Sequence, residues 1–133
     1  NHQKMVELRQ EKVDIIARDL PPAKPFGKES GDLLVIGWGG THGALRSAVE
    51  TAQSEGMSVS HLHLRHLNPL PKNLGEILVK FQKVMIAELN LGQLANIIRA
   101  KFLVDAVGLN KVQGKPFTQT EVFNKITELV KGA

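Results

Sequence analysis

Residues 37–43 form a glycine-rich segment after the first apolar run, with the composition of a phosphate-binding loop. A dinucleotide-binding fingerprint would require a glycine where His42 stands and an acidic residue after the second strand, which ends in arginine and histidine. A Walker loop would require Gly-Lys-Ser/Thr, but Gly43 is followed by alanine and leucine. The spacing therefore favours a tight turn with close helix–strand contact over nucleotide binding.

Three histidines lie on or just after the second predicted strand. His61 and His63 alternate with leucines, so both imidazoles should lie on one side of the strand, and His66 follows it. They could ligate a metal only with further ligands, and the chain has no cysteine and no carboxylate nearby in the sequence. The pattern favours polar packing at a covered or subunit-facing surface.

Residues 88–93 come at the C-terminal end of the third predicted strand, where open α/β sheets place their ligand crevices. Glu88 is the best single candidate for a functional charge. The alternative is a structural role, in which the Glu88 carboxylate pairs with Arg65 or with a neighbouring helix N-terminus. Asn90 would then cap the next helix.

The loop at residues 110–117 follows the fourth predicted strand. Residues 94–133 contain six basic and three acidic side chains, so an anionic ligand or acidic partner is one interpretation and a solvated face the other. The candidate residues for an interface or ligand edge are Arg65, Asn68, Glu88, Asn90, Gln93, Asn110, Lys111, Gln113 and Lys115. We predict no catalytic, cofactor-binding or metal-ligating residue, because no nucleophile with its base, carboxylate pair or metal quartet stands at an interpretable spacing.

The composition describes one domain of modest charge. Its 133 residues are 42% hydrophobic, enough for a core, and 17 basic against 13 acidic residues give +4 without a dense basic run, so nucleic-acid binding is not predicted. Without cysteine the chain cannot itself ligate an iron–sulfur cluster. We expect no membrane contact and a cytoplasmic location, because no apolar run approaches the roughly 20 residues that span a bilayer. The start at Asn1 suggests a piece of a longer polypeptide.

Hydrophobic periodicity divides the chain into three parts. Residues 1–18 predict a connecting helix, residues 19–31 a linker rich in proline and glycine, and residues 32–133 an α/β domain. Strands are predicted near 33–36, 59–64, 84–87 and 104–109. One helical stripe should run from Leu74 through Phe81, and another should include Leu94 and Ile97. A capping box predicts that the last helix starts at Thr118.

This alternation predicts a three-layer α/β/α fold around a mostly parallel sheet of four to five strands. Three ordered segments, residues 62–71, 88–94 and 109–117, resemble the C-terminal part of the α subunit of 2-oxoacid:ferredoxin oxidoreductases, most closely the 2-oxoglutarate (KorA-type) branch. The resemblance covers nearly the whole chain. It departs at His66 and Leu70, where the family pattern has an aromatic residue and phenylalanine.

The resemblance implies a domain like the C-terminal domain of transketolase, with an edge strand that can run antiparallel. It also implies a parent complex that uses thiamine diphosphate, magnesium and an iron–sulfur cluster to convert a 2-oxoacid and coenzyme A into acyl-CoA, CO2 and reduced ferredoxin. The expected partners are the rest of the α subunit, the β subunit and, indirectly, ferredoxin. This domain itself would serve assembly.

Two alternatives stay open. A crevice between Gly39 and Lys115 could bind an anion such as coenzyme A. The chain could also be the equivalent domain of another thiamine enzyme, a transketolase or the β chain of a 2-oxoacid dehydrogenase.

Overall fold

The computed structural model describes residues 21–67, 69–89, 92–111 and 115–132. The elements are β1 (Gly31–Trp38), a 3-10 turn (Gly39–Thr41), α1 (His42–Ser54), β2 (Val59–Leu64), α2 (Leu74–Leu78), β3 (Phe81–Glu88), α3 (Gln93–Phe102), β4 (Ala106–Asn110) and α4 (Gln119–Lys131). The helix predicted before residue 19 lies outside the described residues. Across those ranges, no helix has both the length and the hydropathy needed to cross a membrane.

The four strands form one parallel sheet in the order β2-β1-β3-β4. β1 therefore lies in the middle, whereas β2 and β4 are at opposite edges. Phe26, in the segment before β1, forms an isolated antiparallel bridge with His61 of β2, with N–H···O distances of 2.7 and 3.0 Å. This single bridge joins the segment to β2 but makes no antiparallel edge strand, and the four strands of the sheet are all parallel.

Helices cover both faces of the sheet, which confirms the predicted three-layer α/β/α architecture. Residues alternate along β1, so that Leu33 and Val35 pack with α1 and α4 while Leu34 and Ile36 pack with α2 and α3. Both sets are fully buried. The central strands therefore join two hydrophobic cores.

Parts of the helical assignment were wrong. Phe81 begins β3 and pairs with Gly31, although it stands in helical phase with Leu78, because α2 ends after five residues. Ile97 is 45% exposed and Ala95 is buried instead. The strand predicted at 104–109 runs from Ala106 to Asn110.

The last helix begins as predicted. The Thr118 hydroxyl accepts a hydrogen bond from the Glu121 N–H at 3.2 Å, and α4 starts at the next residue. Phe117 and Val122, on either side of the cap, are buried in the same core. The capping interpretation is confirmed.

The glycine-rich turn after β1 has the structural role favoured by its spacing. A Cβ at Gly37 would collide with the Leu45 side chain and lie 2.6 Å from Thr41 Oγ1, so glycine permits α1 to approach the strand. Gly39 has φ +66°, a left-handed conformation that other residues rarely adopt.

Candidate functional site

Glu88, the strongest functional candidate by sequence, is fully buried at the end of β3. Its Oε1 accepts hydrogen bonds from Trp38 Nε1 at 3.1 Å and the Leu94 N–H at 2.7 Å, and Oε2 accepts from the Ala95 N–H at 3.0 Å. A carboxylate at a helix N-terminus satisfies N–H groups that lack helical partners and interacts favourably with the helix dipole. Glu88 therefore anchors α3 to the sheet.

The same contacts explain the orientation of α3. Because Glu88 binds the N–H groups of Leu94 and Ala95, the first turn of the helix is fixed over the end of β3. Leu94, Ala95 and Ile98 then face the core and Ile97 faces outward. The alternative pairing of Glu88 with Arg65 is not what the structure shows.

Lys111, directly after β4, is also tied into the fold. Lys111 Nζ donates to Glu121 Oε1 at 2.6 Å and to the Pro116 carbonyl at 3.0 Å, and the Lys111 N–H donates to the Glu88 carbonyl at 3.0 Å. The hydrogen bond from Lys111 is the main cause of the lowered pKa of Glu121. The Lys111 charge therefore links the end of β4 to α4.

The structure brings Glu88, Asn110 and Lys111 together at the adjoining ends of β3 and β4, but it leaves Arg65 apart from them. Arg65 is exposed after β2, whereas Asn110 and Lys115 are exposed near the end of β4, at the opposite edge of the sheet. Gln93 is the first residue of α3. Asn68, Asn90 and Gln113 lie outside the described residues.

A cavity of about 690 Å³ lies at the β2 edge, and we call it the histidine cavity. Its lining includes neither Gly39 nor Lys115, the ends of the predicted anion crevice. The segment before β1, the first turns of α1, the C-terminal end of β2 and the turn after it provide its walls. Its lining residues are Pro21, Pro22, Ala23, Lys24, Phe26, His42, Arg46, His61, His63, Leu64, Arg65, His66, Pro69 and Pro71.

Three imidazoles cluster in the histidine cavity. The ring centroid of His42 lies 4.8 Å from that of His63 and 5.5 Å from that of His61, and the last two are 6.3 Å apart. As predicted, His61 and His63 share one side of β2, the side covered by α1. In the described part of the chain, no group of three or more His, Cys, Asp or Glu side chains is placed to hold a metal ion.

The cavity keeps its buried imidazoles neutral. Burial, followed by the nearby charges of His42, His63 and Arg46, lowers the pKa of His61 from 6.5 to about 3. Burial and the charges of His42 and Arg65 also lower the pKa of His63. Nε2 of His61 and Nδ1 of His63 are buried without a hydrogen-bond partner.

Sequence reasoning missed the contribution of α1 to this cluster. His42 was considered only as a residue that breaks a dinucleotide-binding pattern. The detectable signal was topological: β1 and β2 are parallel neighbours, so the residues that follow β1 lie beside the end of β2. Lys24 and Arg46 join the cavity for the same reason, since their segments flank β2.

Residues 31–122 match the family model described as pyruvate:ferredoxin oxidoreductase core domain II. The chain is 45% identical over 133 residues to the 2-oxoglutarate oxidoreductase subunit KorA of Mycobacterium tuberculosis, an alignment that covers 99% of this chain and 20% of that subunit. The chain thus spans about a fifth of the length of the curated relatives it matches.

Solved structures agree with this similarity. The 2-oxoglutarate:ferredoxin oxidoreductase of Magnetococcus marinus, solved with 2-oxoglutarate, coenzyme A and succinyl-CoA, superposes with a TM-score of 0.87 at 26% identity, covering 97% of this chain and 23% of that one. A split-gene transketolase, an inactive β4 tetramer, superposes with a TM-score of 0.62 at 19% identity over 84% of this chain and 43% of its own. The latter similarity concerns the fold alone and confirms the expected transketolase-like architecture.

Proposed function

Because this chain belongs to the pyruvate:ferredoxin oxidoreductase core domain II family, we propose that it is a non-catalytic assembly domain in the α subunit of a thiamine-diphosphate-dependent 2-oxoacid:ferredoxin oxidoreductase. The complete complex would convert a 2-oxoacid, here 2-oxoglutarate, and coenzyme A into acyl-CoA, CO2 and reduced ferredoxin in the cytoplasm. The observation that carries the proposal is the 45% identity with an α-type subunit over 99% of this chain.

The residues of this chain do not fit the cofactors of such a complex. The sequence has no cysteine to ligate an iron–sulfur cluster, and no group of metal-ligating side chains is placed for magnesium within the described residues. The proposal therefore assigns thiamine diphosphate, magnesium and the cluster to the β subunit and the rest of the α subunit. No catalytic step is assigned to this domain.

The contacts of the candidate residues support an assembly role. Glu88 and Lys111, the charged groups best placed at the C-terminal edge of the sheet, are occupied by structural hydrogen bonds. Val79 and Leu103, which follow the two helices on one face of the sheet, are 76% and 89% exposed. We propose the end of this helix layer that carries them as the contact with the rest of the α subunit or with the β subunit.

The experiment compares Glu88→Gln with Glu128→Gln in a complex reconstituted from the polypeptide that carries this chain and its β subunit. An amide at position 88 would set an N–H donor against the N–H of Ala95 or Leu94, which costs about 1–3 kcal/mol. We expect less assembled complex by size-exclusion chromatography but unchanged kcat per assembled complex. Glu128 is exposed and its variant should match the parent.

The outcome decides between assembly and catalysis. Full assembly with a kcat lowered about tenfold or more would show that the domain takes part in the reaction. Turnover of 2-oxoglutarate by the isolated chain would have the same meaning. Activity of the complex with NAD+ but not with ferredoxin would favour the alternative parent, a 2-oxoacid dehydrogenase.

A further inference from the structure

The histidine cavity brings three cationic side chains together. Lys24, Arg46 and Arg65 line it together with four histidines, and the described residues of the lining include no carboxylate side chain. Outside the lining, the exposed Glu50 of α1 pairs with Arg46, accepting a hydrogen bond from its Nε at 3.1 Å. A concave surface lined by one sign of charge raises the local concentration of the opposite ion.

The floor of the cavity contains polar atoms without a partner. His61 is 2% exposed, and its Nε2 makes no hydrogen bond, as is also true of Nδ1 of His63. A buried polar atom without a hydrogen bond costs free energy, and a ligand oxygen in the cavity would accept one from an imidazole N–H. Both imidazoles belong to one strand and are 6.3 Å apart, so a single multi-oxygen group can lie between them.

The rim of the cavity is apolar and rigid. Prolines 21, 22, 69 and 71 are part of the lining, and proline has few conformations to lose when a ligand binds. The guanidinium carbon of Arg46 lies 3.3 Å from the ring centroid of Phe26, a cation–π contact that orients the charge. An organic group would therefore find an apolar surface beside the charged floor.

The volume sets the size of the ligand. Cavities that bind small molecules usually enclose about 300–1,000 Å³, and this one has about 690 Å³. An inorganic anion alone would leave most of it empty, whereas a molecule the size of a mononucleotide would occupy more of it and still fit.

We propose that the histidine cavity binds a small organic phosphate, with the phosphate beside His61, His63 and Arg46 and the organic part against the proline rim. A phosphate monoester carries a charge near −2 at neutral pH and three acceptor oxygens, which suits a floor of cations and unpartnered imidazoles. The site lies at the opposite edge of the sheet from Lys115 and does not depend on the proposed assembly function.

The test follows the imidazole signals of the full 133-residue chain by NMR at constant ionic strength. The probes are adenosine 5′-monophosphate, inorganic phosphate and glutarate. We expect saturable shifts of the His61 and His63 signals with adenosine 5′-monophosphate at a Kd below about 1 mM, and weaker binding of the other two. The pKa values of both imidazoles should rise in the complex, because the anion stabilises their charged forms.

Substitutions localise the binding. Arg46→Gln removes the charge placed beside the phosphate from a side chain that is 36% exposed, so the fold should persist and the Kd should rise about tenfold, the usual effect of losing one charge-assisted contact. Lys131→Gln makes the same change of net charge in α4, away from the cavity, and should leave the Kd unchanged.

Three results would overturn the proposal. If sodium chloride at the same ionic strength shifted the imidazole signals as much as the nucleotide does, the shifts would reflect charge screening and not binding at a site. Glutarate binding as tightly as the nucleotide would exclude selectivity for phosphate, and equal affinity for inorganic phosphate would show that the rim binds no organic group.

Discussion

Glu88 and His61 show why one residue's type does not reveal its role. Both are buried in the parallel sheet, Glu88 at the C-terminal end of β3, where ligand sites are common, and His61 within β2. The Glu88 carboxylate accepts three hydrogen bonds, whereas Nε2 of His61 has no partner. The residue that appeared functional by sequence is an anchor, and the residue interpreted as packing faces a cavity.

The low pKa of His61 should make stability depend on pH. Its pKa is about 3 when folded and near 6.5 when unfolded, so the unfolded chain binds more protons between these values. The free energy of unfolding should therefore fall as the pH falls from about 6.5 toward 3. Between pH 7 and pH 5 this one group accounts for up to about 2 kcal/mol.

His61→Asn should reduce that dependence. Urea unfolding at pH 7, 6 and 5 measures how the free energy of unfolding changes with pH. The variant and the parent are compared by the slope of that change, because the substitution also alters packing and so shifts the stability at every pH. Part of the slope should persist, because burial and the charges of His42 and Arg65 still disfavour protonation of His63 in the variant. His66→Asn, at an exposed position, controls for the loss of an imidazole, and a slope unaltered by His61→Asn would show that His61 does not titrate as inferred.

At the scale of elements, the β1–α1 turn requires a residue without a side chain at position 37. Gly37→Ala should destabilise the protein by about 1–3 kcal/mol, since the added Cβ meets the fully buried Leu45 and the Thr41 hydroxyl. Gly43→Ala is the matched control in the first turn of α1, where nothing lies within 4 Å of the new atom. It should be neutral or stabilising by up to about 1 kcal/mol. Thermal unfolding of both variants checks this, and equal effects would contradict the close-approach argument.

The N-terminus of α4 depends on the Thr118 hydroxyl. Thr118→Ala should lower the free energy of unfolding by about 1 kcal/mol, because the Glu121 N–H loses its acceptor. Thr120→Ala makes the same chemical change two residues later at an exposed position and should stay within about 0.5 kcal/mol of the parent. Urea titration of the two variants distinguishes a cap from a general effect of losing threonine.

Elements set by local patterns were predictable, and those set by tertiary contacts were not. β2 and the start of α4 follow from alternation and a capping box within a few residues. Phe81 fits a helix and a strand equally well, and pairing with β1 decides for the strand. The histidine cavity required the strand order, which places the α1 N-terminus beside β2 and separates Arg65 from Lys115.

At the scale of the whole molecule, one sheet carries two cores. Each core consists of side chains from one face of the sheet and from the two helices that cover it. β1 and β3 contribute alternate residues to both cores. Loss of either helix layer would expose one face of these strands, so the two layers should unfold together.

Hydrogen exchange can test that coupling with three isoleucine substitutions. Ile98→Val in α3 and Ile126→Val in α4 each remove a fully buried methyl group, from opposite cores, and should each cost about 1 kcal/mol. Because β1 and β3 belong to both cores, either variant should speed exchange of the most protected amides of these strands about fivefold. Ile97→Val, made at a 45% exposed position of the same helix, should leave exchange unchanged. If Ile98→Val accelerated exchange only within α3, the two helix layers would be separate cooperative units. The sheet between them would then stay folded when either layer unfolds.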